Sequence, residues 1–110
     1  MRHAIEEAEA YITKNFGDPE LSVKKVCDTI HMSYTYFSDS FKRYTGETYC
    51  NYLKKIRMYK AVELLEKTND CIYKIAFQVG YKESNYFTRV FTESFGISPQ
   101  LYRKRGSADQ

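Results

Sequence analysis

YFSDSF at residues 36–41 and YFTRVF at residues 86–91 carry the same Tyr-Phe-x-x-x-Phe pattern at an offset of 86 − 36 = 50. In a helix, Phe37 and Phe41, and likewise Phe87 and Phe91, share one face, because side chains four apart stack on successive turns. The likeness extends outward from these two stretches. At the same offset Lys24 falls on Lys74, Gly46 on Gly96, Tyr52 on Tyr102 and Lys54 on Lys104. Self-similarity at such a period marks one supersecondary unit used twice.

Apolar residues recur at spacings of three and four along the chain, and no stretch alternates with period two, so the reading is all-α. Ile5, Ala8 and Ile12 give a first amphipathic helix that ends near Gly17-Asp18-Pro19. Ser22 caps a second, carrying Val23, Val26 and Ile30, and Ser33 caps a third, whose Phe37, Phe41 and Tyr44 form the expected inner stripe. Thr45-Gly46 stops it. The longest helix runs from about Thr48 to Glu66, with Tyr49, Tyr52, Leu53, Ile56, Leu64 and Leu65 on its apolar positions. A second copy follows: Ile72, Ile75, Ala76 and Val79, a turn at Gly80, a helix over about 83–94, and Ser98-Pro99 opening a last short helix. Ala76 is small where two helices cross, and Gly80 sits where the turn needs unusual backbone angles. At offset 50 the first copy holds Val26 and Ile30 in those places.

Each copy is thus a short helix, a tight turn and a second helix with an aromatic pair, which is a helix-turn-helix. The expected organisation is a first subdomain over 1–46, a linker helix over 47–67, a second subdomain over 68–105 and a disordered tail over 106–110. A helix over residues 49–66 spans about 27 Å at 1.5 Å per residue. Because one turn of B-DNA is about 34–36 Å, two such units on one helix are of a size to address successive major grooves.

Composition bounds the alternatives. The 110 residues are 43% hydrophobic and 28% charged, with 11 Tyr and 7 Phe to build a core. No apolar run approaches the roughly 20 residues of a membrane span, and MRHAIEEAEA lacks the apolar region of a signal peptide, so a cytoplasmic setting is expected. Cys27, Cys50 and Cys71 are widely spaced, and His3 and His31 stand near no second ligand, which argues against a metal site. No cofactor is implied. A net charge of +3 would not by itself choose between DNA and protein partners, although Lys54, Lys55, Arg57 and Lys60, then Arg103, Lys104 and Arg105, cluster on the basic side of the balance. Enzyme motifs of the G-x-x-x-x-G-K-(S/T) and H-E-x-x-H kinds do not occur, and no nucleophile and acid are arranged around either histidine, so the chain is read as no enzyme.

IYKIAFQVGYKESNYFTRVFTESFGISPQLYR, residues 72–103, matches IA-x-x-VG(F/Y)-x-x-x-x-YF-x-R-x-F-x-x-x-x-G-x-(S/T)P-x-x-YR at every fixed position. On this stretch, and over residues 4–103 more loosely, the sequence resembles the AraC/XylS family of bacterial transcription regulators. The resemblance implies a homeodomain-like DNA-binding domain of about seven helices, with two helix-turn-helix units bridged by the long helix. It also implies double-stranded DNA and RNA polymerase as partners and a sensor or receiver domain ahead of this one. NFGDPELSVKKV and TNDCIYKIAFQVGY further resemble the output domains of YesN-type two-component response regulators.

With Phe37/Phe41 and Phe87/Phe91 turned inward, helical geometry leaves Tyr34, Thr35, Ser38, Asp39 and Lys42 outward in the first recognition helix, and Ser84, Asn85, Thr88, Arg89 and Thr92 in the second. By resemblance, base contacts fall to Thr35, Ser38, Asp39, Ser84, Asn85, Tyr86 and Arg89. Phosphate contacts are expected from Ser33, Tyr36, Lys42, Arg43 and Thr88. Arg pairs bidentately with guanine and Asn with adenine, so the second helix has the better reading chemistry. Asp39 stands where the family commonly has Arg, so the first helix is expected to recognise DNA differently or more weakly. Simpler readings stand beside these: Arg89 as an ion-pair partner of Glu93, Asn85 as a cap, and Arg57 as a structural ion pair between subdomains. A helical protein-interaction module of the same fold is the alternative function.

Overall fold

The computed structural model describes residues 2–108. Seven helices follow one another: α1 (Arg2–Asn15), α2 (Val23–Ile30), α3 (Tyr34–Thr45), α4 (Tyr49–Lys67), α5 (Ile72–Gln78), α6 (Ser84–Phe95) and α7 (Pro99–Ala108). No strand occurs among the described residues, and no helix there is long and apolar enough to cross a membrane. The chain divides into two compact units between Ile56 and Arg57, inside α4 rather than at either end of the expected linker. α7 runs through Ala108, so the first three positions of the expected disordered tail are helical; 109–110 lie outside the described residues.

In the first unit, Ile5, Ala8 and Ile12 of α1, Val26, Cys27 and Ile30 of α2, Phe37 and Phe41 of α3, and Leu53 of α4 form one buried cluster. Phe37 and Phe41 are wholly buried, with ring centroids 5.3 Å apart. Truncating either to Ala would cost about 3–5 kcal/mol. Tyr52 stands edge-on to Phe41 at 5.2 Å and donates its hydroxyl to Glu9 at 3.4 Å. Tyr44 does not join the inner stripe: it is 48% exposed, and the third buried position of α3 is Ser40. The buried face of α3 is the i, i+3, i+4 set of Phe37, Ser40 and Phe41, and it does not extend to the i+7 position that Tyr44 holds.

The second unit repeats this plan. Met58, Ala61 and Leu65 of α4 are buried with Ile75, Ala76, Val79, Tyr81, Phe87, Val90 and Phe91. Tyr102 of α7 stands edge-on to Phe91 at 5.8 Å and donates its hydroxyl to Glu66 at 2.6 Å. Arg103 crosses to the end of α4, donating from Nε to the Leu65 carbonyl at 3.3 Å, from Nη2 to the Thr68 carbonyl at 3.2 Å, and from Nη1 to the Asp70 carbonyl. The last four carbonyls of a helix have no partner within it, so a planar fork with five donors suits that place.

Burial fixes how the copies correspond. Val26, Cys27 and Ile30 match Ile75, Ala76 and Val79 at an offset of 49, not 50. The left-handed turn residue of the first copy is His31, at φ 58°, which matches Gly80 at φ 100°. Ala76 and Gly80 therefore correspond to Cys27 and His31, and the expected match to Val26 and Ile30 is out by one. Both turns close alike, Met32 N–H donating to the Cys27 carbonyl at 3.0 Å and Tyr81 N–H to the Ala76 carbonyl at 2.9 Å. One additional residue between Gly80 and α6 then moves the offset to 50, which holds through Gly46 and Gly96, the left-handed caps of α3 and α6. Ahead of the turn, Ile5, Ala8 and Ile12 match Met58, Ala61 and Leu65 at an offset of 53. The repeat is thus larger than the helix-turn-helix: the second half of α4 does for the second unit what α1 does for the first.

Candidate nucleic-acid interface

Two N-terminal arrangements set the recognition helices. Ser33 caps α3, its Oγ accepting the Tyr36 N–H at 3.3 Å, so the Ser33 hydroxyl proton stays available to an acceptor outside the protein. α6 begins after Glu83, which makes no side-chain cap bond. Asn85, the second residue of α6, is therefore not its cap, and its amide is exposed.

On α3, Thr35, Ser38, Asp39, Lys42 and Arg43 are all exposed, opposite the buried Phe37 and Phe41, and Tyr36 is 53% exposed. Asp39 and Arg43 are joined: Arg43 Nη2 donates to Asp39 Oδ2 at 2.8 Å. The expected base contact of Asp39 and phosphate contact of Arg43 are thus tied to one another, by the bridge that an acid and a base four apart on a helix commonly form.

On α6, Asn85, Tyr86 and Arg89 are exposed, and Ser84 and Thr88 are half-buried, opposite the buried Phe87, Val90 and Phe91. Thr92 turns its hydroxyl back to the Thr88 carbonyl at 2.8 Å. Arg89 makes no bridge to Glu93; its guanidinium lies over the Tyr86 ring, 5.2 Å from the centroid. Arg57 lies over the Tyr81 ring at 5.2 Å, a contact made inside the second unit. The Tyr81 hydroxyl is held above its ordinary range chiefly by burial, with the Arg57 charge and hydrogen bond opposing. It is therefore a neutral, largely apolar surface for the guanidinium.

The two faces have different chemistry. α3 offers hydroxyls, one ammonium and a self-neutralised acid–base pair. α6 offers an amide and a guanidinium, the groups that bond two atoms of one base edge at once, and neither is engaged in an ion pair. A further asymmetry lies on the outer faces of α2 and α5. Lys24 and Asp28 form a bridge of 2.9 Å on α2, and the matching places on α5, 49 residues on, hold the exposed rings of Tyr73 and Phe77.

Residues 26–105 match the family described as "Helix-turn-helix domain". The HTH-type transcriptional activator RhaR of Pectobacterium carotovorum is 40% identical over 79 residues, which cover 72% of this chain and 28% of that protein. The chain thus spans under a third of the length of that curated relative. Among solved structures, the C-terminal domain of AraT, a response regulator from Geobacillus stearothermophilus, superposes with a TM-score of 0.91 at 36% identity, covering 93% of this chain and 84% of that one. The C-terminal domain of the two-component response regulator YesN from Fusobacterium nucleatum gives 0.89 at 33%, covering 92% and 98%. The DNA-binding domain of AdpA, solved in complex with a target DNA, shares the fold with a TM-score of 0.91 at 23% identity, covering 96% and 95%. Two helix-turn-helix copies built about one shared helix, with relatives of this kind over most of the length, place the chain in the AraC/XylS family of transcription regulators.

Proposed function

We propose that this chain binds double-stranded DNA sequence-specifically, α3 and α6 each entering a major groove, and so regulates bacterial transcription. The observation that carries the proposal is the outer face of α6. Asn85 and Arg89 stand exposed four residues apart, on a helix whose other face is fixed by two wholly buried phenylalanines. Such a face presents bidentate partners for adenine and guanine in a fixed register, and each pairing discriminates by about 1–3 kcal/mol. Thr35, Ser38 and Asp39 on α3, with Ser84 on α6, complete the base-facing set. Ser33, Tyr36, Lys42, Arg43 and Thr88 engage phosphates and add affinity without sequence preference.

The target is two short elements about one turn of DNA apart, and the element read by α3 is the weaker. The likeness to the C-terminal domains of AraT and YesN supports a place as the output domain of a larger cytoplasmic regulator with a receiver or sensor domain ahead of it. The likeness to RhaR, a transcriptional activator, supports contact with RNA polymerase.

The test is selection from random duplex DNA by the purified domain, run beside Asn85→Ala and Arg89→Ala. Two selected elements about ten base pairs apart, of which the substitutions relax one, sustain the proposal. Absence of any selected sequence at low salt sinks it in favour of a helical protein-interaction module.

A further inference from the structure

Arg57, Tyr81, Tyr86 and Arg89 form a continuous stack within the second unit. The Arg57 guanidinium lies 5.2 Å from the Tyr81 centroid, the Tyr81 and Tyr86 rings are 5.8 Å apart, and the Arg89 guanidinium lies 5.2 Å from the Tyr86 centroid. Each spacing falls within the reach of ring–ring or cation–ring attraction. Tyr81 is buried and rests against Phe87 at 5.7 Å, so one end of the stack is anchored in the core. The other end, Arg89, is exposed on the outer face of α6.

The two recognition helices hold an arginine in opposite ways. Arg43 commits an N–H donor to the Asp39 carboxylate. Arg89 is held through the face of a ring, which draws on its charge and leaves its N–H donors to pair elsewhere. A guanidinium restrained like this has given up part of its rotamer freedom before binding and still has a full edge for guanine O6 and N7. The first unit retains only the Tyr36 counterpart of Tyr86. Met32 stands for Tyr81 (81 − 49), Asp39 for Arg89 (89 − 50) and Ala4 for Arg57 (57 − 53).

We propose that Tyr86 is a positioning residue: its ring is the platform that holds Arg89 ready for a guanine, and Tyr81 and Arg57 brace that platform. The inference rests on the reading of α6 as a recognition helix. It alters the part expected of Tyr86, from contact with a base to orientation of the residue that makes one. Specificity at one base pair then depends on residues that do not touch it, one of them in α4.

The experiment measures binding of the intact domain to its selected site and to every single-base substitution in the element that Arg89→Ala relaxes. Tyr86→Phe, Tyr86→Leu, Arg57→Gln and the double variant Tyr86→Leu/Arg89→Ala are compared, with thermal unfolding run on each. Tyr86→Phe keeps the parent's preferences. Tyr86→Leu loses about threefold to fivefold discrimination at the Arg89-dependent base pair and none elsewhere. The double variant is no worse at that pair than Arg89→Ala alone, and Arg57→Gln relaxes the same pair by about twofold. Loss at a different base pair, or a loss additive to that of Arg89→Ala, overturns the proposal and makes Tyr86 a reader in its own right. A uniform loss across the panel also overturns it, as ordinary packing. Should Tyr86→Leu fail to fold, unchanged discrimination in Arg57→Gln still overturns the brace. A parent that prefers no sequence refutes the DNA-reading proposal itself, whereas a preference untouched by Arg89→Ala refutes only the part given to Arg89.

Discussion

Asp39 and Arg43 face each other across one turn of α3, with Arg43 Nη2 2.8 Å from Asp39 Oδ2. At the matching places on α6, 50 residues on, the order of charge is reversed, Arg89 first and Glu93 second, and no bridge forms there. The α3 bridge is 69% and 68% exposed at its two side chains, so it contributes about 0.3–0.5 kcal/mol and yields readily to a phosphate. While it stands, it holds the guanidinium of the first unit on its own helix.

Asp39→Asn releases Arg43 and removes a charge that repels the DNA backbone. Affinity for duplexes that lack the target elements should rise by several-fold near 0.1 M salt, and the slope of log affinity against log salt should steepen by about one, from a parent slope shallower than about −8. A salt titration of Asp39→Asn, Arg43→Ala and the double variant checks this. An equal gain in the double variant would assign the effect to repulsion alone.

Arg103→Ala leaves the carbonyls of Leu65, Thr68 and Asp70 without their fork and should lower stability by about 2 kcal/mol. Arg103→Lys should recover less than half, since an ammonium cannot span three acceptors set out for a planar group. Urea denaturation gives the loss. Faster amide exchange confined to the last turn of α4 and the loop after it would locate the damage.

His31 is exposed and sits at φ 58° with a β-carbon, whereas its counterpart Gly80 has none at φ 100°. Replacing His31 with Gly should raise stability by about 0.5–1 kcal/mol, and replacing Gly80 with Ala should lower it by at least about 1 kcal/mol. Opposite shifts in the urea midpoint are the expected outcome, and a fall in both variants would contradict it.

The hydroxyls of Tyr81, Tyr52 and Tyr102 titrate above the ordinary value of 10.0, the first two chiefly through burial and the last chiefly through its bond to Glu66. Because the folded values are raised, the unfolded chain gives up these protons first as pH climbs. The stability they carry is complete below about pH 10 and lost above it. The urea midpoint should fall as pH climbs past about 10, less steeply in Tyr81→Phe than in the parent. Equal slopes would mean that Tyr81 contributes nothing to the alkaline limit.

The aromatic repeat made the fold legible. Phe37, Phe41, Phe87 and Phe91 are large, wholly buried and rigidly spaced, so they mark the recognition helices without help from context. The shorter helices α2 and α5 have no such anchors. A chance pairing of Lys24 with Lys74 held the offset at 50, where the buried sets require 49 and pair Lys24 with Tyr73. In the longest helix Met58 and Ala61 were missed as core residues, because the apolar stripe was drawn as one face while the buried face changes between the two units. Arg103 gave no warning of its work: its partners are backbone carbonyls, which leave no trace in side-chain identity. The link from Arg57 through Tyr81 to Tyr86 was equally invisible, since residues 57 and 81 are joined only by folding.

α4 is divided along its length between two cores. Tyr49, Tyr52, Leu53 and Ile56 belong to one, and Met58, Ala61 and Leu65 to the other. A cut at either end of this helix therefore strips one unit of its share. A dissection that hopes to keep both units folded must instead divide the helix within itself, between Ile56 and Arg57, where one set of core residues gives way to the next.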